Sequence, residues 1–159
     1  MITIELAGQE QAEEIREVMH QAFAQYNSEK PPSGAMLETA SSIRTILAEE
    51  TEKALLCFMN LEPAGMVRIR EEKKSLYFSR LSVVPAFRGR GIGKALIKEV
   101  ERYAIEMNKQ MVTCKVRVST PDNIKRYEAA GYHIYDTYEL EKPGWPPIAI
   151  VAMKKILKS

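Results

Sequence analysis

Near the start of the chain Ile2, Ile4 and Leu6 alternate with polar residues, the period-two signature of a half-buried strand. Over residues 9–26 the apolar spacing changes to three and four, through Ile15, Val18, Met19, Ala22, Phe23 and Tyr26, and an amphipathic helix is expected. Residues 27–34 cannot extend it, because Pro31 and Pro32 remove backbone donors and Gly34 adds freedom. Helical spacing resumes over 36–50 through Met36, Leu37, Ala40, Ile43, Ile46 and Leu47. Residues 53–61, 65–70 and 75–84 are then dense in apolar and aromatic side chains, with Glu62-Pro63-Ala64 and 71–74 between them. They predict three strands of an antiparallel meander.

After Pro85 a glycine-rich turn leads into Ile92, Leu96, Val100, Tyr103 and Met107, which fall on one face of a helix. Residues 111–118 read as a strand. Thr120 is placed as an N-cap, Pro121 as the first helical residue and Gly131 as the stop of a short helix. Strands over 132–140 and 148–155 close the chain, joined by 142–147. The expectation is one mixed α/β domain spanning residues 1–159, with no repeat and no linker.

Composition narrows the function. The 159 residues are 45% hydrophobic and 28% charged, as in an ordinary globular domain, and 23 cations against 21 anions give a net charge of +2. That balance argues against a nucleic-acid or membrane-surface partner, so any basic site is local. The N-terminus lacks a signal-peptide pattern and no apolar run reaches a membrane span, which predicts a cytoplasmic protein. Cys57 and Cys114 lie in apolar runs and read as small core side chains. His20 and His133 read as structural or surface residues, and their separation offers no metal spacing, so no metal is expected.

The candidate chemistry is in Arg88-Gly89-Arg90-Gly91-Ile92-Gly93-Lys94, between a predicted strand and a predicted helix. Backbone N–H groups and the helix dipole make an anion site at such a junction, and glycine removes side chains that would block a phosphate. A triphosphate-binding loop is excluded, since Arg88 stands where its first glycine is required and Ala95 replaces the metal-binding hydroxyl. The dinucleotide pattern also fails, ending on Lys94 or Leu96 instead of glycine.

The remaining pattern, Arg/Gln-x-x-Gly-x-Gly/Ala within residues 81–96, resembles the pyrophosphate turn of the GNAT superfamily of acetyl-coenzyme A-dependent N-acetyltransferases. Residues 121–132, with Asn123, Tyr127-Glu128 and Gly131-Tyr132, resemble that family's second signature. The resemblance implies a mostly antiparallel central sheet flanked by helices, with acetyl-CoA as cosubstrate and a primary amine, small molecule or peptide, as acceptor. It implies a strand splayed from its neighbour near Leu81 and Val83, whose free backbone meets the pantetheine arm and whose amide near Val83 polarises the thioester carbonyl. Phosphate contacts fall to Arg88, Arg90 and Lys94 with the amides of Gly89, Gly91, Ile92 and Gly93.

Tyr127 matches the position of the family's acid, which protonates the departing thiolate; a phenol of pKa about 10 keeps its proton at neutral pH. Its alternative is a tyrosine packing a short helix onto the sheet. Asn123 matches the coenzyme-contacting Asn, four residues before Tyr127 where many members have a longer spacing; a helix-start role stays open. No general base is assigned, because Ser79, Arg80 and Ser82 occupy its usual region and Glu71 and Glu72 read as hairpin charges. Tyr26, Pro31, Pro32 and Trp145 are candidates for acceptor recognition, Trp145 either lining a pocket or folding back onto the core. The expected activity is direct acetyl transfer in a ternary complex, against the alternative of a non-catalytic acyl-CoA binding or sensing domain; a homodimer is left open.

Overall fold

A computed structural model describes residues 1–24 and 34–157. Strand β1 (Ile2–Leu6) leads through a 3-10 turn to helix α1 (Ala12–Phe23), which buries Ile15, Val18, Met19 and Ala22. Tyr26, Pro31 and Pro32 lie outside the described residues. Helix α2 (Ala40–Ala48) is shorter than its apolar spacing suggests: Met36 and Leu37 belong to a separate 3-10 turn, Gly34–Leu37. The reason is a capping box, in which the Ser42 amide donates to Thr39 Oγ1 at 3.0 Å and the Thr39 amide to Ser42 Oγ at 2.9 Å.

The meander follows as β2 (Lys53–Met59), β3 (Glu62–Glu71) and β4 (Ser75–Val83). Its first turn is Asn60-Leu61, both at positive φ, so β3 begins at Glu62 and not after Ala64 as the sequence suggested. Two such residues match the twist of the flanking strands, a geometry that local hydrophobicity does not reveal. Pro63 is accommodated because the register shifts beside it, between Cys57 and Phe58. Helix α3 (Ile92–Glu106), β5 (Met111–Arg117), α4 (Pro121–Ala129), β6 (His133–Leu140) and β7 (Ile148–Ile156) complete the order.

The seven strands form one sheet in the order β1-β2-β3-β4-β5-β7-β6. All neighbours are antiparallel except β4 and β5. Alternate residues divide the core between the two faces. Ala54, Leu56 and Met66 pack under α1 and α2, whereas Leu55, Cys57, Val67 and Phe78 pack under α3 with Leu96 and Val100. Gly65 sets how closely α3 lies: a Cβ there would stand 2.8 Å from Ile92 Cγ2 and 2.8 Å from the Ser82 carbonyl. Both cysteines are buried, and burial pushes their thiols up, Cys57 to about 11 and Cys114 to about 12. No helix among the described residues is long and apolar enough to cross a membrane.

Candidate active site

The glycine-rich turn closes one end of a cleft of about 950 Å³. Gly89 and Gly91 both take φ +79, a left-handed backbone that other side chains resist, and Gly91 is the N-cap of α3. The first amides of α3 therefore have no partner within the helix and carry its positive dipole end. Gly89, Gly91, Ile92, Gly93 and Lys94 line the cleft, as do Leu81 and Val83 from β4 and Asn123 and Tyr127 from α4.

The two predicted arginines part company. Arg88 lines the cleft while its Nη2 donates to the Ala22 carbonyl of α1 at 3.2 Å, tying the turn to the end of that helix. Arg90 does not line the cleft; its Nη1 lies 3.6 Å from Met59 Sδ and its guanidinium stands over the Phe87 ring at 5.8 Å. Lys98 and Arg126 also line this cleft. Sequence reading missed both, although Lys98 stands one helical turn beyond Lys94 and Arg126 directly precedes Tyr127.

Strands β4 and β5 pair only over Ser75–Tyr77 against Met111–Thr113. From Phe78 onward the β5-facing edge of β4 has no strand partner among the described residues, which is the splay expected near Leu81 and Val83. A bulge drives it: Met66 pairs with Ser82 and Arg68 with Ser79, so β4 carries an extra residue there, with Arg80 at φ +58. Arg80 is held by Glu38, whose Oε2 accepts from its Nε at 2.9 Å, and the same carboxylate accepts from the buried Arg68. Arg68 also donates to Glu52 at 2.9 Å, so each of these charges is compensated.

The gap opens a second cleft, of about 330 Å³, between the β4 segment 77–81 and β5. Phe23, Leu81, Asn123 and Tyr127 line both clefts, so the two meet at these side chains. Asn123 and Tyr127 reach the junction together because a spacing of four places them on one face of α4. The Tyr127 ring is packed edge-on against Phe78 at 5.5 Å and lies 6.2 Å from Tyr132. Burial and the neighbouring Glu101 hold the Tyr132 phenol far above the ordinary range, and its hydroxyl donates to Glu101 Oε2 at 2.9 Å.

Thr120 occupies the expected N-cap position, but its hydroxyl turns back to the Arg117 carbonyl at 2.9 Å and caps no amide. Trp145 is 41% exposed in the turn before β7 and borders neither of the two clefts. Glu71 and Glu72 pair with Lys109 and Arg70, away from both clefts. His20 is structural, with Arg16 at Nδ1 and the Glu38 carbonyl 3.0 Å from Nε2. Among the described residues no group of His, Cys, Asp or Glu gathers that could hold a metal.

The acetyltransferase (GNAT) domain family matches residues 8–157. No curated protein matches the chain. Solved structures share its fold at low identity. A GNAT-family acetyltransferase from Streptococcus pneumoniae is 17% identical, with a TM-score of 0.78 over 99% of this chain and 100% of that one. The ribosomal-protein-S18-alanine N-acetyltransferase from Escherichia coli is 14% identical, with a TM-score of 0.80 over 100% and 96%. The yncA protein of Salmonella typhimurium, solved with its cofactor acetyl-CoA, is 15% identical, with a TM-score of 0.76 over 99% and 94%.

Proposed function

The chain belongs to the GNAT acetyltransferase family, and from that membership we propose that it moves the acetyl group of acetyl-CoA to a primary amine by direct attack in a ternary complex. The observation that carries the reading is the junction of two clefts at Leu81, Asn123 and Tyr127, one with an anion cradle at its end and the other open between splayed strands. The residues fit the cosubstrate. Left-handed Gly89 and Gly91 have open space where a Cβ would project, and a cleft of about 950 Å³ has the size of a coenzyme site.

Acetyl-CoA supplies an activated thioester. The amides of Gly91, Ile92 and Gly93 with Lys94 receive its pyrophosphate, and Arg88, Lys98 and Arg126 offer further cations to its phosphates. Arg90 contributes its backbone to the turn. The unpaired edge of β4 by Leu81 and Val83 takes the pantetheine arm, and the amide near Val83 donates to the carbonyl oxygen as negative charge develops on it. Asn123 orients the arm from α4. As the amine nitrogen bonds to the acetyl carbon and the carbon–sulfur bond breaks, the Tyr127 hydroxyl gives its proton to the sulfur. The proton lost by nitrogen passes to solvent, which restores the phenol.

Release of free thiol from acetyl-CoA in the presence of a panel of primary amines tests the reading. Thiol release that requires an amine supports it. Tight acetyl-CoA binding without turnover of any amine would leave a binding or sensing domain instead.

A further inference from the structure

The acceptor-side cleft is lopsided in charge. Arg80, Lys115, Arg117 and Lys142 line it, and among the described residues no carboxylate does. Glu38 holds Arg80 from behind at 2.9 Å, and Arg117 is engaged as well, which leaves the charges of Lys115 and Lys142 to a ligand. Lys115 and Arg117 stand two apart on β5 and so project to the same face of the sheet. The Lys115 ammonium lies 5.8 Å from the Tyr77 ring and 5.8 Å from the Tyr138 ring, a cation held between aromatic faces at the cleft wall. Lys115 of β5 and Lys142 of the turn after β6 thus border a space of about 330 Å³ that Tyr127 also lines.

A polyamine entering this space would bring its positive charges against those of the wall. An amine with a carboxylate or a similar oxyanion would meet complementary charge and expose its nitrogen toward Tyr127. We propose that the acetyl acceptor is a small amine bearing an oxyanion, of the amino-acid class, with Lys115 and Lys142 binding the anionic end. This rests on the acetyltransferase reading and adds the substrate class to it. The charged wall selects against polyamines by like-charge repulsion, and a neutral amine forgoes the attraction.

The experiment compares α-amino acids with their carboxamides and with spermidine, following thiol release from acetyl-CoA by the whole chain. The expected result is a kcat/KM at least about tenfold higher for an acid than for its carboxamide, with spermidine slowest. Faster turnover of spermidine or of the carboxamides overturns the acceptor class and leaves the acetyltransferase reading intact. If no amine of any kind releases thiol, that reading fails and the acceptor class falls with it.

Charge reversal at the wall gives an independent arm. Lys115→Glu, and Lys142→Glu as a second variant on a separate element, should raise the KM for the preferred acid at least about tenfold. Acetyl-CoA affinity should stay unchanged, and Lys115→Arg should restore the KM. An unchanged KM in both folded charge reversals overturns the assignment of these lysines.

Discussion

Tyr127 is one of seven tyrosines in the chain, and what distinguishes it is position: it lies at the junction of both clefts. Its ring packs on Phe78, so Tyr127→Phe keeps the packing and removes only the hydroxyl. The thermal midpoint and acetyl-CoA affinity should hold while the maximal rate falls about a hundredfold or more, the range of general acid catalysis. Rate, midpoint and affinity measured on one preparation check this, and an unchanged rate ends the assignment. The arginines of the turn should separate in the same way. Arg90→Ala, whose side chain points to Met59, should leave acetyl-CoA affinity within about twofold, whereas Arg88→Ala should weaken it by more than about fivefold. Calorimetric titration of the two variants decides, and equal losses would place Arg90 on the ligand.

At the scale of the element, the position of α3 governs the anion cradle, and Gly65 governs the position of α3. In Gly65→Ala the new methyl would press on Ile92 and the Ser82 carbonyl, an overpacking worth about 1–3 kcal/mol and a fall in thermal midpoint of roughly 3–10 °C. Acetyl-CoA affinity should drop with it; a variant as stable and as tight-binding as the parent would show that α3 has room to shift. Gly65 also marks where sequence reading stops. The turn at Gly89 to Lys94 was legible because consecutive residues make the whole of it, and the apolar period of α1 and α3 was legible because each helix displays its own buried face. Gly65 serves a helix that starts 27 residues later, and only the packed sheet reveals the approach. The bulge at Arg80 was hidden for the same reason. It depends on Glu38, distant in the chain, holding the guanidinium of a residue whose own type disfavours the left-handed backbone. The basic wall of the acceptor cleft was missed because Lys115, Arg117 and Lys142 come from two separate segments, neither of which is basic enough to stand out.

For the whole molecule, the two buried cysteines link stability to pH. Their folded thiols titrate at about 11 and about 12, whereas an unfolded thiol titrates near about 8.5, so above that value the unfolded chain loses protons that the folded chain retains. Stability contributed by the neutral thiols is complete below about pH 8.5 and is lost as pH rises through 9 to 12. Thermal midpoints across that range should fall, and the fall should be shallower in a Cys57→Ala, Cys114→Ala double variant; an identical slope would remove the thiols from the account. The sheet itself is unevenly protected. Its middle strands are covered on both faces, whereas β6 is an edge strand, mostly exposed, with a register break between Ile134 and Asp136. Strands of that kind open first, so amide hydrogens of β6 should exchange with deuterium well before those of β3. Tyr138 and Leu140 of this strand border the acceptor cleft, which makes its loosest wall a reporter: an acceptor that enters should slow exchange across residues 138–140, and acetyl-CoA alone should leave those amides as they were.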